Sequence, residues 1–266
     1  MSTVVSADGT VIAYDRHGTG RPVVLVYGAV AERGGHAPLA ELLAGEFTVF
    51  NYDRRGRGDS GDTAPYAVER EIEDLAAVIA EAGEPVSLYG MSSGAALALL
   101  AAGRGLPIER MVVHEPPYSA DERQRAHSRT EGRRIADLIE SGRAVDAMRL
   151  FLAATGTPDE VLDQMLADPG MVARAHTIGY DSAILDDLGT GGAPPLDLIA
   201  GITVPTLVLA GSETFDGMSA VAAEVADTLP HGRLRVLEGQ GHGVAAQVLA
   251  PVLTEFFAAG QPGKSA

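Results

Sequence analysis

The sequence predicts an α/β protein with a mostly parallel central sheet, helices on both faces and one helical insertion. Three observations predict it. The unbroken apolar run at 23–26 and the short, mostly apolar runs at 85–89, 110–114 and 206–210 have the length of strands buried on both faces. Segments with helical spacing alternate with several of them, the pattern of a parallel sheet covered on both sides. One long span, 119–200, carries helical spacing and no strand pattern.

Taken in order, 11–14 alternates and 23–26 is uniformly apolar, so both read as strands separated by a Gly/Pro turn. A further strand is expected at 46–52 and a helix at 68–82. The strand 85–89 runs directly into an alanine–leucine helix at 93–102, and 110–114 is the next strand. Four helical segments follow, at 133–140, 145–154, 158–167 and 172–188, closed by "GTGGAPP". The alternation then resumes with strands at 206–210 and 233–237 and helices at 218–229 and 248–259. No internal repeat is visible. An all-helical insert between two parallel strands sits at their carboxyl edge, where open α/β sheets bind ligands. The span 119–200 therefore reads as a lid over a core made of 1–118 and 201–266.

Composition removes several function classes. A length of 266 residues fits one large domain with an insertion, and 46% hydrophobic content argues for a packed globule. The formal net charge of −16 opposes binding to nucleic acid or an anionic membrane through the global field. The basic stretch from Arg123 to Arg134 reads as a solvated helix face. Without cysteine there is no disulfide, no thiolate nucleophile and no cysteine-ligated metal. Lys264 is the sole lysine and lies in the tail, which argues against a Schiff-base mechanism. The polar "MSTVVSADGT" has no apolar run of signal-peptide length, and no run of about 18 apolar residues occurs later. A soluble, cytoplasmic monomer or homodimer is expected.

The strongest chemical signal is Gly90-Met91-Ser92-Ser93-Gly94, directly after one strand and directly before one helix. Glycines at both ends permit a sharp turn that lifts the Ser92 hydroxyl above the sheet, while the Ser93 amide opens the helix and faces developing negative charge. Ser93 is a poor nucleophile candidate because it lacks glycine at both flanking positions. A serine needs a base to become nucleophilic, and His242 has the pKa to take and return a proton. The run Gly56-x-Gly58-x-x-Gly61 literally satisfies a dinucleotide-binding fingerprint. No helix opens at Gly61, so it is set aside.

These motifs together resemble the α/β-hydrolase fold family, and the resemblance spans nearly the whole chain. "NYDRRGRGDS" looks like the family's loop after its fourth strand, Gly90 to Gly94 its nucleophile elbow, and "GQGHG" its histidine loop. The resemblance implies a carboxylate to hold His242. Many members place it after the strand at 206–210, where this chain has Thr214; Asp216 and Glu213 are nearby but out of register. Glu115 ends the strand next to the elbow strand, and an acid there is costly without a partner. Acid placement at this earlier strand resembles zearalenone-type lactonases, as do "GMSSGA", "HEPP" and "GSETF". Glu115 is assigned as the acid, with Asp216 the alternative.

Where the family carries His-Gly after its third strand, this chain has Tyr27-Gly28-Ala29-Val30. An oxyanion hole built from backbone N–H groups survives that change, with Ala29 or Gly28 joining Ser93. Tyr27, Met91, His36, His176 and Tyr180 are candidates for the pocket wall, and His114 for a supporting role beside Glu115. His17, His127 and His231 read as solvent-facing. No cluster has metal-ligand spacing and no cofactor is expected. The expected activity is cofactor-independent hydrolysis of a carboxylic ester or lactone, a small and largely apolar molecule, through an acyl-enzyme. The alternative is a small-molecule binding protein, or a biosynthetic cyclase or isomerase, on the same fold.

Overall fold

Parity along the strands decides how the sheet is covered. In the computed structural model, which describes residues 1–259, the strands are β1 (Ser2–Val5), β2 (Val11–His17), β3 (Arg21–Val26), β4 (Phe47–Tyr52), β5 (Val86–Met91), β6 (Ile108–His114), β7 (Thr206–Gly211) and β8 (Gly232–Leu237). They form one sheet in the order β1-β2-β4-β3-β5-β6-β7-β8. β1 and β2 join antiparallel, and all pairings from β4 to β8 are parallel.

Val23, Leu25, Val49, Tyr89, Val112 and Leu209 point to one face. There they pack on α1 (Ala37–Leu43) and α11 (Ala246–Ala258). Val24, Val26, Phe50, Leu88, Val113 and Val208 point to the other, under α2 (Val68–Ala82), α3 (Ser93–Gly103) and α10 (Met218–Thr228). With both faces covered, β4 and β7 bury every residue, which is why neither alternates apolar with charged residues. α3 is buried nearly all round, and its Ala/Leu sequence has no polar face. α2 instead buries one stripe, and Gly83 at φ 85° ends it.

Between β6 and β7 lie α4 (Glu122–Glu140), α5 (Ala144–Ala154), α6 (Asp159–Leu166), α7 (Pro169–Ala173), α8 (Ile178–Asp186) and α9 (Leu196–Ala200). Ile135, Met148, Leu152, Leu162 and Ile178 form a separate apolar cluster there, completed by Val30 from the loop after β3. The span does not pack uniformly on itself. Ile184 and Ile199 join the main core, and Leu198 lies against Gly103 at the end of α3.

The strand and helix positions expected after residue 46 agree with the structure to within a few residues, except in the insertion. Its first helix begins at Glu122, so the basic stretch is indeed a helical surface. The expected single helix 172–188 is broken into α7, a 3₁₀ turn (Arg174–Thr177) and α8. β1, α1 and α9 were not anticipated. Each is short, and β1 is an edge strand whose residues are largely exposed, so it lacks a hydrophobic signature. Among the described residues no helix is long and apolar enough to cross a membrane.

Candidate active site

Among the described residues, three non-glycine residues adopt positive φ: Val30 (52°), Ser92 (55°) and Glu115 (48°). All follow the carboxyl ends of neighbouring strands, β3, β5 and β6. Left-handed backbone is rare outside glycine and clusters at functional sites.

The elbow depends on close backbone approach. A Cβ on Gly94 would stand 2.4 Å from the Val26 carbonyl oxygen, and one on Gly90 would stand 2.6 Å from that of Gly94. Both distances are impossible for a real side chain, so glycine is required at each end. Ser92 precedes α3 at ψ −127°, and its N–H donates to the His114 carbonyl at 2.9 Å. Gly28 passes directly against this residue: a Cβ there would meet the Ser92 Cβ at 2.8 Å and its Oγ at 3.4 Å. The backbone of the loop after β3 is thereby brought beside the serine hydroxyl, while Ser93 begins the helix.

Parallel register carries the serine to the acid. Met91 pairs with His114, and His114 with Leu209, so Glu115 leaves the sheet one step beyond the elbow. Its carboxylate has no exposed surface. It accepts from His242 Nδ1 at 2.5 Å, from the Gly211 N–H at 2.7 Å and from the Thr214 hydroxyl at 2.9 Å. Burial pushes its pKa up, but these hydrogen bonds outweigh burial and hold it below the usual glutamate value. A Cβ on Gly211 would lie 2.1 Å from the Gln240 carbonyl oxygen, so glycine at the end of β7 is what lets the His242 loop cross there. The Ser212 hydroxyl accepts from the Gly239 N–H at 2.8 Å and ties that loop down.

Of the acid candidates, Glu115 contacts His242, while Asp216 and Glu213 lie exposed in the β7–α10 loop. Thr214 occupies the position expected for an acid and donates a hydrogen bond to the acid that is present. With Glu115 on Nδ1, the other imidazole nitrogen, Nε2, is the one left to exchange a proton with a nucleophile.

Behind the elbow lies a buried ionic cluster that the sequence reading missed. Arg54 makes a two-pronged pair with Glu71, at 2.7 and 2.9 Å. Its Nη1 donates to Asp181 of α8 at 2.8 Å, and to the Tyr27 carbonyl and the Ser93 hydroxyl at 3.2 Å each. Arg57 donates to the second oxygen of Asp181 at 2.8 Å, and the Ser93 hydroxyl donates to Asp181 at 2.7 Å. Two buried cations thus face two buried anions, a balance that burial demands. Its signal was in the sequence: Glu71 and Asp74 lie on the apolar stripe of α2, where acids need arginines, and "RRGR" supplies them.

The expected pocket residues separate into two groups. Tyr27, Met91 and His36 line one cavity together with His114. His176 and Tyr180 lie elsewhere, drawn to Asp62: His176 Nε2 is 3.3 Å from its carboxylate and the Tyr180 hydroxyl donates to it at 2.8 Å. Tyr180 is further held by stacking on Tyr66. The loop after β3 is braced by the bond from Arg54 to the Tyr27 carbonyl, while the Tyr27 ring stacks on His36. His17 and His231 are not buried, as expected, and His127 is exposed on α4.

A strand–elbow–helix serine, a histidine after the last strand and an acid bonded to it specify one family. The profile of the alpha/beta hydrolase family matches residues 17–252, and the chain belongs to that family. It is similar to a non-heme haloperoxidase of Rhodococcus erythropolis, 26% identical over 92% of this chain and 93% of that one. Among solved structures, an alpha/beta hydrolase from Sphaerobacter thermophilus is 48% identical over 96% of this chain and 100% of that one, with a TM-score of 0.85. The esterase RhEst1 from Rhodococcus shares the fold at 20% identity, covering 97% of this chain and 98% of that one, with a TM-score of 0.72. The coarse class is therefore a hydrolase of the alpha/beta type.

Removing one partner from the buried cluster strands the other charges. Asp181→Leu is expected to lower unfolding free energy by about 3–5 kcal/mol in urea titration. Arg235→Ala, which breaks an exposed pair with Glu255, is expected to cost under about 1 kcal/mol.

Burial depresses the pKa of His36 from 6.5 to about 4, and that of His114 to about 4 against the opposing pull of Glu115. Both bind a proton more readily when unfolded. Their contribution to stability is fully present above pH 6.5 and lost as pH falls towards 4. The urea midpoint is expected to drop across that interval, and His36→Phe should flatten the drop.

Proposed function

We propose that the protein is a serine hydrolase that cleaves a carboxylic ester or lactone through an acyl-enzyme. The observation that carries this reading is the 2.5 Å contact between the buried Glu115 carboxylate and His242 Nδ1, at the sheet edge that also bears Ser92. An acid on Nδ1 fixes the tautomer in which Nε2 accepts a proton, and it stabilises the imidazolium that results.

Ser92 Oγ bonds to the substrate carbonyl carbon while its proton passes to His242 Nε2. The carbonyl oxygen gains the negative charge and is held by the N–H of Ser93 together with that of Ala29 or Gly28. The tetrahedral species collapses, the leaving alkoxide takes the proton from His242, and the acyl group stays on Ser92. Water then gives a proton to His242 and its oxygen to the acyl carbon, releasing the acid and restoring the serine. For a lactone, alcohol and acid leave as one molecule.

The apolar cluster of Val30, Met148, Leu152 and Ile178 adjoins the Gly28–Ala29 loop. It joins the loop after β3 to the inserted helices and casts them as a lid. The Ser93–Asp181–Arg54 bonds support the same arrangement by fixing the elbow helix, the loop after β3 and α8 to one another.

Ser92→Ala is expected to lower kcat on a p-nitrophenyl ester by on the order of 10⁶-fold, as loss of the nucleophile does in subtilisin. Near-normal turnover by a folded Ser92→Ala protein would sink the serine mechanism.

Neutralising the triad acid costs about 10⁴-fold in a serine protease, so Glu115→Gln is expected to lower kcat/KM by about 10²- to 10⁴-fold. Asp216→Asn should change it little. Both are compared at equal folded fraction, since Glu115 also closes buried hydrogen bonds. Severe loss in Asp216→Asn alone would reverse the assignment, and severe loss in neither would favour the binding-protein alternative.

A further inference from the structure

The Ser92 centre makes no use of the basic stretch from Arg123 to Arg134, which lies within α4. Helical spacing divides α4 into faces. Ile135, Leu138 and Ile139 pack into the apolar cluster of the insertion. Arg125, Arg129 and Arg133 recur every fourth residue and so share another face. That face borders a cavity of about 580 Å³ between α4, α8 and the loop at Gly191 and Gly192, with Pro117 and Leu185 on its wall. A smaller cavity of about 160 Å³ shares Gly132, Ala136, Gly179 and Ser182 with it and extends to Ile139. The two make one groove, with arginines at one end and aliphatic side chains at the other. Ser92, Glu115 and His242 line neither part.

Two of the three guanidiniums are held in place. Arg125 donates to the Ser119 carbonyl at 2.7 Å, Arg129 to the Gly191 carbonyl at 3.1 Å, and both pair with Glu122. Arg133 has no carboxylate partner among the described residues, and its bond is to the Thr130 hydroxyl, at 3.2 Å. Asp186, the acid on the wall of the larger cavity, accepts from the Gly191 N–H at 2.6 Å. Three arginines set against Glu122 and Asp186 leave one positive charge, and Arg133 carries it. Arg133, Ala136, Gly179 and Ser182 are all exposed, so an occupant reaches them. A guanidinium presents a planar fork that fits a carboxylate in two-pronged fashion. A solvated charge pair is worth little by itself, so an inorganic anion gains little here. Affinity also needs an apolar body that covers Ala136, Ile139 and Leu185. The formal net charge of −16 repels polyanions and anionic surfaces, which favours a small monoanion. Glu140 lines only the smaller cavity, so the charged head belongs at the arginine end.

We propose that this groove is a second small-molecule site, distinct from the Ser92 centre, which takes a small amphiphilic carboxylate with its head on Arg133 and its apolar body along Ala136 and Gly179 towards Ile139. The larger cavity lies within the size range of small-ligand pockets, about 300–1,000 Å³. The site does not depend on what reaction Ser92 performs. An occupant spans α4 and α8, and α8 holds Asp181 against the Ser93 hydroxyl, so the groove is joined through one helix to the elbow.

The probe is 4-(4-bromophenyl)butanoate, with 4-(4-bromophenyl)butan-1-ol as its uncharged counterpart. Neither contains an ester or lactone bond. In soaked crystals of the wild-type protein, anomalous bromine density is expected between α4 and α8, beside Ala136 and Gly179, with the carboxylate towards Arg133. In solution the carboxylate should bind about tenfold more tightly than the alcohol, and Arg133→Gln should remove most of that ratio. Arg133 is exposed and bonded to one hydroxyl, so the fold should tolerate the change. Gly179→Phe, at an exposed position whose added Cβ meets open space, should fill the groove and weaken both probes. Bromine found only beside Ser92, equal affinity for the two probes, or a ratio unchanged by Arg133→Gln would overturn the assignment.

Discussion

A carboxylate with no exposed surface must find its hydrogen bonds inside the protein, and Glu115 finds them on three separate segments. The Gly211 amide comes from the end of β7, the Thr214 hydroxyl from the loop beyond it, and the His242 ring from the loop after β8. Each donor is needed, because losing one leaves a buried charge short of a partner. The acid thereby orders the carboxyl edge of half the sheet. Thr214, in the loop after β7, supports the buried carboxylate as a donor.

Arg54 does comparable work on the opposite side of the elbow. A chain with a net charge of −16 can sink a guanidinium among carboxylates readily, since acids are plentiful nearby. Here the arginine is used as a junction. It joins α2 through Glu71, the loop after β3 through the Tyr27 carbonyl, α3 through Ser93, and the inserted helices through Asp181. Ordinary apolar packing could hold these elements together. A charged hub with directional bonds also fixes their rotation relative to one another, which matters where backbone N–H groups must aim at one point.

The legible parts of this protein were those with local causes. The elbow announced itself because its glycines and serine sit within five consecutive residues, and parallel strands did so because burial on both faces leaves a mostly apolar run. Glu115 could be singled out because a strand-terminal acid is conspicuous, but its bonds to Gly211 and Thr214 are made across nearly a hundred residues. Asp181 was invisible for the same reason: nothing in α8 distinguishes a buried acid from an exposed one until Arg54 and Arg57 are brought against it. His176 and Tyr180 misled because both ends of the insertion can approach the core, and Asp62, far away in sequence, decides which way they turn.

Val30, Ser92 and Glu115 carry a consequence for how such a chain can be improved. Each holds a left-handed backbone that its side chain disfavours, at a cost of about 1–3 kcal/mol apiece. Against a typical net stability of about 5–15 kcal/mol, that is a large share to concentrate in three residues. Selection for thermal robustness alone would drift these positions towards glycine or asparagine, each change making the fold firmer and the sheet edge blunter. Directed evolution of a hardier variant would do better to leave these three residues untouched and look for its gains on α1, α4 and the outer face of α11, where ordinary surface substitutions leave the serine, the acid and the loop beside them where they are.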